Sequence, residues 1–455
     1  MRKTYVLDTN VLIQNPDAMF YFEDNIVVLP VIVLEELNTL KNSDGETGAN
    51  ARRSIRFLED LRETGNLVEG VELETGGIIR IEVNHVTEQL PQGFKHEQND
   101  NRILKVCLGL KHQDLNPILV TKDIMMRIKA QLLNILVEDF TTEQAPIESE
   151  QYSGRVEVYI PEDLCSEFKL HGIDPENVYQ VDPEGNRVTI NHINNQFYLL
   201  KTDRSQGSLL GKFNGKKIVP LQYANTKPYG VSPRNIGQYF LQEALLTDAK
   251  EAPLVIVKGK AGTAKTFYAL AAGLQKVIQE IPKQYRRILV VRPNSQFDDD
   301  IGYLPGSEQE KIYPLMRPII DNLEIVIDQD EEARFQNEKE LSGKIDELFD
   351  REIIATEALN YIRGRSITET YLIIDETQNL TPRQAKGIIT RAGKGTKIIL
   401  LGDTNQIDHH LLDNRTNGLS YASEKMKGSK LCYQISMLET ECERSDLAAD
   451  AINRM

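Results

Sequence analysis

Cysteine is scarce: Cys107, Cys165, Cys432 and Cys442 stand far apart in 455 residues. That excludes a disulfide framework and the paired spacing of a zinc site, and leaves four free thiols. Long apolar runs are also missing. The longest, such as "ILVV" and "KIILLG", are strand-sized and fall far short of the ~20 residues of a membrane span, so no membrane partner is expected. The opening "MRKTYVLDTNVLI" is broken by Asp8 and Asn10 too early for a signal peptide, which predicts a cytoplasmic protein. Positive charge is in deficit, with 53 Lys and Arg against 68 Asp and Glu and a formal net charge of −15. A surface coated in nucleic acid is excluded, while a local basic groove is not. Internal repeats and low-complexity segments are absent, and the acid-rich stretch 324–350 reads as a solvated face.

What is present is a 40% hydrophobic content, enough for two or three cores, in three regions. Residues 1–140 alternate short apolar runs ("YVL", "IVVLP", "ILVT") with amphipathic stretches ("VIVLEELNTLK", "NRILKVCLGLKHQ"), the rhythm of a parallel α/β sheet. Residues 141–227 combine a polar linker with a small β-rich insert, marked by short strands and turn pairs such as Asn214-Gly215. From residue 228 to 455 the α/β rhythm returns. "PLVIVKG", "RILVVRP", "YLIIDE" and "KIILLGD" predict four buried strands of a second, doubly wound sheet.

"GKAGTAKTF" follows the first of those strands. It has the spacing of a P-loop, in which backbone N–H groups wrap phosphates, a lysine reaches the β and γ oxygens, and a hydroxyl ligates magnesium. Gly259, Lys260, Ala261, Gly262, Thr263, Ala264, Lys265 and Thr266 form the loop, with Lys265 and Thr266 in the lysine and hydroxyl positions. Ala264 replaces the usual second glycine. The expectation is a helical, negative φ there, which alanine accepts. Asp375 and Glu376 end the strand "YLII", where an aspartate holds the magnesium shell and a glutamate orients the attacking water. "KIILLGDTNQID" ends another strand, with Gln406 suited to sensing a γ-phosphate. Between residues 361 and 400 lie seven basic residues (Arg363, Arg365, Arg383, Lys386, Arg391, Lys394, Lys397) against three acids, a candidate phosphate-contacting face as much as a solvated surface.

Four acids in the first region fall at strand ends or helix starts: Asp8, Glu36, Asp100 and Asp123. A parallel sheet gathers such positions at its carboxyl edge. At ~5 Å and an effective dielectric near ~20, each carboxylate pair repels by roughly 3 kcal/mol, so a cluster calls for cations or protons. Two Mg²⁺ or Mn²⁺ ions would balance it and would suit hydrolysis of a phosphodiester. Each acid alone is explained equally well as a helix cap.

The motifs "GKAGTAKT", "VVRPN", "IGYLPGSEQEKIYPLMRPIIDNL", "YIRGRSI", "LIIDETQNLTP" and "LLGDTNQID", in this order, resemble the PhoH family of helicase-related ATPases over residues 228–455. "VLDTNVLI", "PVIVLEELNTLK", "NDNRIL" and "LVTKDIMMRIKA" resemble the PIN nuclease domain over residues 1–140, with Glu36 preferred to Glu35 for its place before Leu37. The whole chain is similar to PIN-PhoH fusion proteins. That resemblance implies a PIN-like parallel-sheet domain, a β-rich middle region and a P-loop ATPase domain. It also implies ATP with Mg²⁺ or Mn²⁺, and single-stranded or tailed duplex RNA as partner. Gln238, in "SPRNIGQYF", would read adenine, and Arg444, in "ECERSD", would complete a neighbouring γ-phosphate site in a hexameric ring. ATP-driven RNA remodelling with cleavage is the first expectation. A PIN-like domain that binds without cleaving, or a nucleotide-controlled stress module, are the alternatives.

Overall fold

The computed structural model describes residues 2–443 except 44, 74, 92, 95–97, 141–144, 147–149, 183–184, 203–207, 294–307, 329–337, 358, 363–365 and 410–411. The chain divides into two compact units, one on residues 1–143 and the other on 144–295 and 304–455.

In the first unit, β1 (Thr4–Leu7), α1 (Thr9–Gln14), β2 (Ile26–Pro30), α2 (Val31–Leu40), α3 (Gly45–Thr64), β3 (Val71–Glu72), β4 (Ile78–Glu82), α4 (Asn99–His112), β5 (Pro117–Val120), α5 (Ile124–Leu132) and β6 (Leu136–Glu138) follow in order. The sheet order is β3-β4-β2-β1-β5-β6, parallel except for β3. β1, β2 and β5 read as unbroken apolar runs because helices cover both faces of the sheet. The topology puts the ends of β1 and β5 side by side, Leu7 opposite Val120.

The middle region forms β7 (Arg155–Ile160), α6 (Cys165–His171), the short pair β8 (Gln180–Val181) and β9 (Arg187–Val188), then β10 (Phe197–Thr202), β11 (Ser208–Phe213) and β12 (Ile218–Pro220). Its four-stranded sheet has the order β12-β11-β10-β7, with β10 and β7 parallel. This sheet belongs to the same compact unit as the C-terminal sheet. Phe197 shows why: fully buried, it stacks on Phe240 at 4.8 Å and on Tyr433 at 5.3 Å, both outside the middle region.

Then come α7 (Ile236–Leu246), β13 (Leu254–Lys258), α8 (Lys265–Leu274), β14 (Arg287–Val291), α9 (Glu308–Asp328), α10 (Glu338–Asp350), β15 (Ile354–Glu357), α11 (Leu359–Ile362), β16 (Thr370–Ile374), α12 (Pro382–Ile389), β17 (Lys397–Gly402), α13 (Gly418–Lys425) and β18 (Cys432–Ser436). They build an all-parallel sheet of order β15-β14-β16-β17-β13-β18 between two apolar layers. Among the described residues six strands replace the four expected. β15 and β18 carry polar residues that mask the buried-strand pattern; Gln434 in β18 is buried because Ser423 satisfies its amide. Among the described residues no helix is long and apolar enough to cross a membrane.

One residue counted with the basic face is not on the surface. Lys397 is fully buried, and its ammonium donates to the carbonyls of Ala244, Thr247 and Ala252 at 2.8, 2.5 and 3.3 Å. Burial pulls its pKa down to about 7. It closes the C-terminal end of α7, its ammonium spent on internal carbonyls. Arg363 and Arg365 lie outside the described residues.

Candidate functional site

In the second unit the sheet order sets three chemical groups side by side. β13, β17 and β16 are neighbours, so the P-loop after β13, Asp403 after β17 and Asp375 after β16 share one edge. Gly259 leaves β13 where Met437 packs; a Cβ there would stand 2.8 Å from the Met437 Cβ, so glycine is required. Lys265 opens α8 and is buried, its ammonium folded onto the loop carbonyls of Gly259 (2.5 Å) and Lys260 (3.0 Å). Burial lowers its pKa, and the fields of Asp403, Asp375 and Glu376 oppose that shift. The Thr266 hydroxyl donates to Asp375 Oδ1 at 3.2 Å. Burial first, and the Glu376 charge second, raise the Asp375 pKa. This pairing of hydroxyl and carboxylate is an all-oxygen donor set, which fits a hard divalent cation accompanying a triphosphate.

Ala264 departs from expectation. Its φ is 62° and its ψ 24°, the left-handed region, because it stands one residue ahead of the first helical position and is not bound to helical geometry. Gly262 (φ 89°) and Ala264 both turn the loop through positive φ. For alanine that costs about 1 kcal/mol. Lys260 pairs with Glu439, Ala261 N–H donates to Asp403 Oδ2 at 2.9 Å, and the Thr263 hydroxyl donates to Lys260 O at 2.8 Å.

Glu376 also sits at positive φ (53°), held by Arg292 at 3.0 Å and by the Gln378 amide at 2.5 Å. Gln378 did not stand out in the sequence. Fully buried, it also accepts from Asp403 N–H at 3.1 Å and donates to Gln406 O at 2.8 Å, so one amide locks three motifs together. Gln406 takes part through its backbone; its residue is exposed. The Gln238 amide is engaged within the protein: Oε1 accepts from Arg234 N–H (2.8 Å) and the Tyr268 hydroxyl (3.1 Å), and Nε2 donates to Glu443 (2.8 Å). Arg444 lies outside the described residues.

In the first unit Asp8 is buried at the end of β1. It accepts from Thr9 N–H at 2.7 Å and from the Thr121 hydroxyl at 2.6 Å. Burial pushes its pKa up to about 6, with Asp100 and Glu36 adding to the rise and the Thr121 and Thr9 bonds opposing it. Glu36 faces this group, accepting from the Thr9 hydroxyl and from Asn99 at 2.7 Å, whereas Glu35 turns to Arg102 at 3.2 Å. Asn10 acts at one remove: it donates to the Thr121 hydroxyl at 3.2 Å rather than to Asp8. Asp100 pairs with Lys129 at 3.5 Å. Asp123 caps α5, accepting from Met125 and Met126 N–H. Carboxylates and hydroxyls suit Mg²⁺ or Mn²⁺ by donor type. As placed, no three His, Cys, Asp or Glu side chains among the described residues converge closely enough to hold a metal ion.

Comparison with known proteins covers both units. A PIN domain model matches residues 5–141, and a PhoH-like protein model matches residues 230–455. The chain is 40% identical to Protein PhoH2 of Bacillus subtilis, with 98% of each chain covered. It is 32% identical to Protein PhoH2 of Thermobispora bispora and 30% identical to that of Mycolicibacterium smegmatis, in both cases over 98% of this chain and 95% of the relative.

Two outcomes test this geometry. Ala264→Gly should raise the stability of the nucleotide-free protein by up to about 1 kcal/mol in urea unfolding, since glycine takes positive φ without strain. For Asp8 the folded pKa lies above the unfolded one, so its stabilising contribution is full below about pH 3.8 and is lost as pH rises through about 6. In chelator at pH 7.5 Asp8→Asn should therefore be more stable to urea unfolding than the parent, by up to about 3 kcal/mol. The gap should close by pH 4.

Proposed function

The chain belongs to the PhoH2 family, and from that premise we propose that it couples ATP hydrolysis in its PhoH domain to RNA unwinding or translocation, with metal-dependent RNA cleavage in its PIN domain. The observation that carries the reading is the shared edge of β13, β17 and β16, where Lys265, Thr266, Asp375 and Glu376 meet.

A triphosphate in the loop replaces the carbonyl partners of Lys265, whose ammonium then meets the β and γ oxygens. Thr266 and Asp375 are the residues that would hold its Mg²⁺. Glu376 accepts a proton from, or orients, the attacking water, and Arg292 and Gln378 fix its carboxylate. Gln378 also reaches the Gln406 backbone, so γ-phosphate loss is communicated along that segment. In the PIN domain a divalent cation, if held there, would supply activation of the attacking water and charge stabilisation of the leaving oxygen. Asp8, Glu36 and Asp100 would hold it, Thr9, Asn99 and Thr121 orient those carboxylates, and Asp123 is available once its bonds to the α5 N–H groups yield. The sequence carries one P-loop, so strand movement calls for a second gripping surface from another copy. A hexameric ring with Arg444 reaching across the interface is the arrangement proposed, in the cytoplasm.

A second reading is favoured by one observation: the acids do not converge among the described residues, as they would not in a PIN domain that binds RNA without cutting it. One pair of variants separates the readings. Lys265→Ala should abolish ATP turnover by at least ~100-fold while metal-dependent cleavage of single-stranded RNA persists; Asp8→Asn should do the reverse. Radiolabelled RNA cleavage and phosphate release, measured on the same preparations, check both. Cleavage unchanged in Asp8→Asn would favour the binding-only reading.

A further inference from the structure

Beyond β18 the segment Leu438–Glu443 runs along the outside of the P-loop. The Cys442 thiol donates to Ala261 O at 3.1 Å and Glu443 N–H donates to Gly262 O at 2.9 Å. Lys260 of the loop pairs with Glu439. A trans peptide points its C=O and N–H in opposite directions. Holding the Ala261 carbonyl from outside therefore aims the Gly262 N–H into the loop, where phosphate oxygens bind.

Arg234 and Gln238 hold the end of this strap at Glu443, and its middle is fastened by one buried carboxylate. Arg155 Nη1 donates to both oxygens of Glu441 at 2.8 Å, and Gly237 and Leu438 N–H each donate to one of them at 2.8 Å. Both members of the ion pair are buried, with side-chain exposures of 11% and 7%. Gly237 has to be glycine for this approach: a Cβ there would lie 2.3 Å from Glu441 Oε2. Arg155 is the first residue of β7, so its partner ties the strap to the middle sheet, and its guanidinium lies 5.3 Å from the Phe240 ring centroid on α7.

We propose that Glu441, held by Arg155, is a positioning residue for the phosphate-binding loop, and that the middle β-sheet serves the nucleotide site as the anchor of this strap. The proposal rests on the reading of the loop as an ATP site. It assigns to the middle region a role in binding the triphosphate rather than RNA.

Full-length Arg155→Met, Arg155→Lys and Glu441→Gln test it, each compared with the parent well below its unfolding temperature. Arg155→Met should raise KM for ATP and the Kd of a fluorescent ATP analogue about tenfold, while kcat at saturating ATP stays within threefold. Arg155→Lys, which keeps a cation facing Glu441, should recover most of the loss. The second readout needs no turnover: iodoacetamide labelling of Cys442, mapped by mass spectrometry, should speed up at least fivefold in Arg155→Met, with Cys165 as the internal reference. Should Arg155→Met fail to fold, Glu441→Gln is expected to show the same two changes. A folded variant with parental KM, Kd and Cys442 labelling overturns the proposal. A parent protein that binds no ATP sinks the ATP reading instead, and unchanged Cys442 labelling in the variants would then overturn the strap as well.

Discussion

A parallel sheet sends the carboxyl end of every strand to one edge, and both units of this protein depend on that constraint. In the first unit it brings the ends of β1 and β5 together, so that Asp8 meets Thr121, 113 residues away in sequence. In the second it brings the P-loop beside Asp403 and Asp375. Neither cluster could be assembled by an antiparallel sheet of the same strands, which would send alternate ends to opposite edges.

Gathering charge at an edge opposes stability, and the two sites resolve the conflict differently. The P-loop site is internally compensated: Lys265 faces three carboxylates, and Arg292 answers Glu376. The acid cluster is compensated at Asp100, which pairs with Lys129, while Asp8 and Glu36 rely on hydrogen bonds. Asp8 is desolvated beside two further carboxylates, and hydroxyls from Thr9 and Thr121 stand in where a cation would be worth far more. Asp8 caps α1 as Asp123 caps α5, and what sets Asp8 apart is its burial beside two further carboxylates rather than the cap itself.

What the sequence made legible was what is local. The P-loop spacing, the strand before it and the acidic pair after "YLII" are contiguous patterns, and each falls on the element expected. Ala264 shows the limit of that reading. One residue decides whether a position is inside the helix or just before it, and the sign of φ follows. Lys397 shows another: a lysine at a strand start reads as surface until the carbonyls that surround it, about 150 residues upstream, are in view. Gln378 and Glu441 were illegible for the same reason, since each has partners far away in sequence, Asp403 at 25 positions from Gln378 and Arg155 at 286 from Glu441, and nothing local marks an amide or carboxylate as buried.

The most direct test of the account uses the unmodified protein on a tailed duplex RNA, with strand separation and strand cleavage followed in one gel. With ATP and Mg²⁺ or Mn²⁺ present, the expected result is strand separation that needs ATP and cleavage that needs the metal but proceeds without ATP. Separation that is indifferent to ATP, in a preparation whose phosphate release does not respond to RNA, would contradict the coupling of the two units' chemistry to one RNA substrate.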